Sequence, residues 1–242
     1  MSFLKAQWKN LTFINYEIDP KILQPHVPKG TELDLYNGKC YVSVVGFLFE
    51  DVKMLGIRIP YHINFEEVNL RFYVKRYENR TWRRGVVFIQ EIVPKFALSL
   101  VANLLYKEHY KTLPMKHSID INEHSNDYQF QWKIKNNWNS IFIKTEKEPI
   151  KIELDSEEEF ITEHYYGYTK ASANKTFEYE VKHPIWKQLK VLETKLEIDF
   201  SANYGKEFEF LKDQKPSSII FALGSEVSIE NKRTIQQMRV EM

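Results

Sequence analysis

Cysteine is nearly missing from this chain: Cys40 is the only one among 242 residues. No intrachain disulfide can form, which suits a reducing compartment and excludes a disulfide-stapled scaffold. Glycine and proline are sparse, at 8 and 9 residues, and they are scattered, so the chain carries neither a flexible linker nor a low-complexity tract. Charge of one sign is lacking too. The formal net charge is +1, which supplies no general attraction to nucleic acid or to an anionic membrane. No apolar run nears the roughly 18 residues of a membrane helix. The opening MSFLKAQWKN is interrupted by Lys5 and Lys9 and lacks the apolar stretch of a signal peptide. The expectation is a soluble, cytoplasmic protein, with residues 1–242 forming one domain.

Catalytic and metal motifs are equally scarce. No HExxH, CxxC, GxSxG, P-loop or GxGxxG pattern occurs. The histidines, at 26, 62, 109, 117, 124, 164 and 183, form no closely spaced ligand pair, so no metal site and no cofactor are expected. The segment Lys75–Arg84 is basic with interleaved aromatics. It could grip single-stranded nucleic acid or be a solvated strand end that discourages edge pairing; the balanced overall charge favours the second. Nothing sets the oligomeric state, and the aromatic content leaves a homodimer open.

What the chain does have is aromatic side chains: 16 Phe, 14 Tyr and 5 Trp. Aromatic and β-branched residues favour strands and bury large areas. About a dozen alternating segments stand against two or three short helical ones, which predicts a mainly β protein built as an antiparallel barrel or sandwich. Asn37-Gly38 predicts a hairpin joining 33–36 to 39–49. Asn136-Asn137 predicts a turn between strands at 128–134 and 138–144. Gly224 predicts a closing hairpin. Phe96, Leu100, Val101, Leu104 and Leu105 predict the buried stripe of a helix over 96–107. Ser156 with Glu159 predicts a capping box.

The segment Phe65–Val74 is the most informative. Side chains alternate along a strand, so Val68, Leu70, Phe72 and Val74 share one apolar face while Glu67, Asn69, Arg71 and Tyr73 share the other. The following segment, Trp82–Val93, is apolar on both faces, as strands covered on both sides are. If the two pair through Glu78–Thr81, the polar row is enclosed and forms a pocket wall. That row then reads either as a structural ion pair and amide ladder or as a clamp for a carboxylate or carbonyl compound, with Arg71 as the fork and Glu67 orienting it or moving protons.

Two further clusters stand out. Glu91 interrupts a buried strand and needs a partner. Lys95 follows Pro94 at a strand-to-helix junction. An apolar setting would make it a Schiff-base nucleophile, whereas a lysine at a helix start ordinarily reaches solvent. In TEHYYGYT, at 162–169, His164 and Tyr166 are candidates for acid, base or donor, or else belong to an aromatic strand start.

The stretches FEEVNLRFYV (65–74), RRGVVFIQEIVP (83–94), TEHYYGYT (162–169), VKHPIW (181–186) and LGSEV (223–227), with the opening 6–47, resemble the YqjF-like family of bacterial proteins of unknown function. That family is similar to the acetoacetate decarboxylase-like superfamily. The resemblance implies an antiparallel β-barrel with a few flanking helices around a small-molecule cavity. It also implies a glutamate at Glu67 and a Pro-Lys step at Pro94-Lys95 in the places where the decarboxylase keeps its glutamate and imine-forming lysine. The second lysine that the decarboxylase sets after its nucleophile is Phe96 here. A fold is inherited more readily than its chemistry. The expectation is an enclosed cavity for a small anionic or carbonyl metabolite, lined by Glu67, Asn69, Arg71, Glu91, His164 and Tyr166. The alternatives are a β-keto acid lyase acting through Lys95, and a structural or interaction protein without a ligand.

Overall fold

A computed structural model describes residues 2–235. The strands are β1 (Leu4–Glu17), β2 (Glu32–Leu33), β3 (Tyr41–Met54), β4 (Phe65–Glu78), β5 (Thr81–Val93), β6 (Tyr110–Thr112), β7 (Met115–Ile121), β8 (Asn126–Ile134), β9 (Asn137–Thr145), β10 (Ile150–Lys151), β11 (Tyr166–Ser172), β12 (Lys175–Lys182), β13 (Lys187–Leu189), β14 (Val191–Glu197), β15 (Ser218–Ile229) and β16 (Arg233–Ile235). The α-helices are short: α1 (Pro20–Leu23), α2 (Phe96–Val101), α3 (Glu157–Thr162) and α4 (Phe200–Tyr204). The protein is mainly β, with few helices, as its alternating sequence predicts.

Pairing runs β15-β1-β3-β4-β5-β11-β12, and β12 pairs back onto β15 through Val181–Ile229 and Lys182–Ser228. The ladder therefore returns to its start. All these pairings are antiparallel except β5 with β11, a single parallel neighbour along this otherwise antiparallel path. A parallel neighbour needs a long crossover, and the whole of β6 to β10 fills it. Three of those strands, with β14, make a separate antiparallel sheet in the order β14-β9-β8-β7.

This arrangement splits β4 as its alternation predicts. Val68, Leu70, Phe72 and Val74 face outward and pack with Phe130, Trp132, Ile141 and Ile143 of the second sheet and with Phe200 and Phe208. The other face of β4 looks inward, where Phe13, Val45, Phe47 and Phe49 form a second cluster with Tyr73 and Val86. The polar row is thus enclosed.

The β4–β5 hairpin turns on Asn79 and Arg80, both at positive φ, 52° and 62°, the geometry that a right-twisted two-residue hairpin requires. The basic tip beside it is internally neutralised: Arg76 pairs with Glu78 at 2.6 Å, and Arg83 pairs with Glu178 at 2.7 Å. A bulge at Ile89 matters more for function. Leu70 pairs with Gln90 but Arg71 pairs with Phe88, so the parity of β5 changes. Val86 and Phe88 face inward before the bulge, and Glu91 and Val93 after it.

Three expectations need correction. Asn37-Gly38 does turn the chain, with Tyr36 bridged to Lys39, but β2 does not pair with β3. It pairs with Val74 and Lys75 of β4, just beyond Phe72 where the β3–β4 ladder stops, so both strands serve one edge of β4. Gly224 does not close a hairpin either: β15 runs unbroken past it along β1. There the glycine, at φ 82°, lets the Trp8 carbonyl approach so closely that any Cβ would collide with it.

The third correction concerns α2. It is α-helical only to Val101, continues as a π turn over Ala102–Tyr106 and stops at Lys107 in the left-handed region. The wider turn shifts the apolar register. Phe96, Leu100, Leu104 and Leu105 are exposed, at 68, 46, 61 and 52%, while Ser99 and Tyr106 are buried. Ser156 caps α3 as expected, accepting from the Glu159 N–H at 3.1 Å, although the Glu159 carboxylate reaches back to the Asp155 N–H.

Candidate functional site

The enclosed face of β4 lines a cavity of about 60 Å³, measured where the centre of a water can sit, which is room for a few waters or a small organic acid. Glu67, Asn69 and Arg71 enter it from β4, Glu91 from β5, and His164 and Tyr166 from the segment joining α3 to β11. Six of the seven residues expected at the site therefore meet in one cavity. Lys95 is not among those lining it. It is half-buried at the N-terminal boundary of α2, and its charge acts on Glu66. Glu66 neighbours Glu67 in sequence, so it points to the other face of the strand. No lysine lines this cavity among the described residues.

Arg71 is 8% exposed. One terminal nitrogen donates to the Ile161 carbonyl at 3.2 Å, and Nε has no partner. The guanidinium lies 5.0 Å from the Phe13 ring centre and 5.5 Å from that of Tyr73, favourable cation–π distances. Among the described residues no carboxylate forms an ion pair with it, because Glu67 is engaged elsewhere. Glu67 accepts from the Asn69 amide at 2.9 Å and from the Tyr110 hydroxyl at 3.3 Å. The ladder expected along β4 exists between Glu67 and Asn69 and ends before Arg71.

Three buried carboxyl groups, those of Glu67, Glu91 and Glu108, interact in this part of the fold. Burial pushes Glu67 up to about 7, against the pull of its hydrogen bonds and of Arg71, with Glu108 adding repulsion. Burial, with Glu108 and Glu67 nearby, holds Glu91 well above the ordinary carboxylate range, and its Oε2 has no partner. Burial likewise raises Glu108 to about 7, although Thr169 and Tyr179 both donate to it. The set therefore carries less negative charge at neutral pH than three ordinary carboxylates would, and each protonated member can donate a hydrogen bond or a proton.

His164 is held differently. Burial lowers it to about 4, outweighing its 3.3 Å hydrogen bond to Asp34. Asp34 is itself held to about 2: burial opposes this, but hydrogen bonds from His164 and Arg84 prevail. His164 is therefore a neutral imidazole at physiological pH. Its Nδ1 is unpartnered, and its ring lies 4.7 Å from that of Tyr73.

Glu108, Tyr110, Tyr179 and His183 also belong to this constellation and went unnoticed in the sequence. Tyr110, Tyr179 and His183 line the cavity, and Glu108 joins through Tyr179. Glu108 lies just before β6, a three-residue strand too short for a periodic signal, and Tyr110 opens it. Only its parallel pairing, Glu91 opposite Tyr110, brings them in. Tyr179 lay in plain view as part of an alternating strand, but its facing could not be known without its neighbour.

Comparison with known proteins places this geometry. A family described as "Uncharacterized conserved protein (COG2071)", DUF2071, matches residues 5–226. The uncharacterised protein YqjF of Bacillus subtilis (strain 168) is 28% identical over 187 residues, 76% of this chain and 74% of that protein. Among solved structures, the acetoacetate decarboxylase of Legionella pneumophila superposes with a TM-score of 0.65 at 12% identity, over 97% of this chain and 88% of that one. The enduracididine biosynthesis enzyme MppR, complexed with pyruvate, superposes with a TM-score of 0.68 at 8% identity, over 97% of this chain and 91% of that one. Identities this low establish a shared fold and nothing more. The match over most of its length establishes that the chain belongs to the DUF2071 family, with YqjF as a relative and an acetoacetate decarboxylase-like fold.

Proposed function

We propose that the protein binds a small carboxylate-bearing carbonyl compound in this cavity. Arg71 holds the carboxylate, while Glu67, Asn69, Glu91, His164 and Tyr166 surround the rest. The observation that carries the reading is the buried guanidinium with an unpartnered Nε and, among the described residues, no carboxylate in ion-pair range. A buried charge is expensive unless paired, and an anionic ligand supplies the missing partner through a fork of parallel donors. The protonated carboxyls are donors available to a carbonyl oxygen. A carboxyl near 7, as Glu67 has, is suited to giving or taking a proton at physiological pH. MppR, of similar fold, binds pyruvate, which agrees in ligand class. Imine formation is not part of the proposal, since Lys95 stands outside the cavity lining.

Thermal denaturation with pyruvate, acetoacetate and related keto acids tests it. At a hundredfold excess over Kd a ligand adds about 2.7 kcal/mol, roughly 5–10 °C for a chain of this size. Arg71→Ala is expected to abolish the shift while remaining folded, and borohydride treatment with the same acids is expected to leave the protein mass unchanged. A shift that survives in Arg71→Ala refutes the anion role. A covalent adduct lost in Lys95→Ala replaces the binding reading with imine chemistry.

A further inference from the structure

A second cavity, of about 80 Å³ by the same measure, lies against the inward side of α2. It shares Phe49, Glu91, Tyr110, Tyr179 and Ile229 with the first. The two hollows are therefore the sides of one wall. Beyond those shared side chains the lining is apolar apart from Glu108 and the Tyr106 hydroxyl, with Leu98 and Val101 contributed by α2 and Ala102 by the π turn.

We infer that this second cavity takes the apolar tail of the ligand: the protein recognises a keto acid carrying an unbranched alkyl substituent, with its carboxylate at Arg71 and its chain past Glu91 and Tyr179 against α2. The inference rests on the anion role proposed above and adds the class of substituent. Three observations support it. Apart from the tyrosine hydroxyls and the buried carboxyls of Glu91 and Glu108, the lining of the second hollow is apolar, so an alkyl tail meets mostly matching surface there. An apolar hollow this size leaves its lining short of contacts that a hydrocarbon chain restores. The hollow is roofed by the π turn at Ala102–Tyr106, and such turns concentrate at functional sites. Leu98, Val101 and Ala102 share one face at helical spacing, and the wider turn then sets Tyr106 rather than Leu105 inward.

Isothermal titration with pyruvate, 2-oxobutanoate, 2-oxopentanoate and 2-oxohexanoate tests the assignment. Each added methylene is expected to tighten binding about fourfold until the hollow is full. Ala102→Trp, on the partly exposed outer helix, fills the hollow and is expected to erase that gain while leaving pyruvate affinity unchanged; Leu98→Trp serves if the first variant does not fold. Pyruvate binding with a flat series overturns the tail assignment and leaves the anion site standing. A gain that persists in both tryptophan variants places the tail elsewhere and also overturns it. Tighter binding of 5-aminopentanoate than of pentanoate overturns it in favour of a cationic tail. If no 2-oxo acid binds, the proposed function fails and takes this inference with it.

Discussion

Replacing Glu108 with glutamine is expected to stabilise the protein at alkaline pH and hardly at all at acidic pH. Glu108 is buried, accepts from Thr169 and Tyr179, and is raised from 4.5 to about 7 by desolvation. Between those two values the native state keeps a proton that the unfolded chain has released. Stability therefore falls as pH rises through that window, and the loss is complete once the native group also ionises, above about 7. The interval from 4.5 to about 7, at 1.36 kcal/mol per pH unit, amounts to roughly 3 kcal/mol at pH 8 and under about 1 kcal/mol at pH 5. Glutamine has the shape of the protonated acid and keeps an acceptor for both donors, so Glu108→Gln removes this pH-dependent penalty. It also relieves Glu67 and Glu91, which Glu108 repels. Urea unfolding at pH 5 and pH 8 measures the effect. With a slope of about 2–3 kcal/mol per molar for a chain this large, the midpoint gap between variant and wild type is expected to widen by roughly 1 M on going to pH 8. A gap equal at the two pH values, or one that narrows, refutes the claim that these acids are held protonated by burial.

Two further outcomes follow from the same geometry. Gly167→Ala places a methyl group into the Tyr179 ring, which lies directly across the strand pair. The variant is expected to lose about 1–3 kcal/mol of stability and to weaken keto acid binding, because Tyr179 belongs to the wall between the two cavities; unchanged urea midpoints and affinities would count against that packing. Cys40 is 3% exposed and burial pushes its thiol up to about 11, so the native protein is expected to ignore a disulfide exchange reagent at pH 8 and to release one thiol equivalent in denaturant; rapid labelling of the native protein would contradict the burial.

The amino-acid sequence by itself determined the β character, the hairpin of β4 and β5 and the division of β4 into two faces. Alternation has a period of two, and β4 sustains it for a full strand without a break, so Glu67, Asn69 and Arg71 were legible as one inward-facing row. The double apolar facing of β5 told that the row is enclosed. Family resemblance narrowed the barrel or sandwich that the strand count predicted, and it added to the nucleophile reading that Lys95 already had from its strand-to-helix setting. Only the tertiary structure set that lysine apart from the cavity.

The rest depended on contacts that no local pattern carries. The bulge at Ile89 reverses the parity of β5 and turns Glu91 into the cavity that Arg71 also lines; one extra residue in a strand leaves no mark on composition. Glu108 and Tyr110 reach the site through β6, where three residues pair in parallel with β5 across a long separation in sequence. The π turn after Val101 adds a residue to the helical repeat and moves the inward position from Leu105 to Tyr106. Strand period and hydrophobic content are local and survive in the sequence. Register, bulges and the meeting of distant carboxyls arise from pairing between segments, and they decide which charges go unpaired and what kind of ligand the cavity can hold.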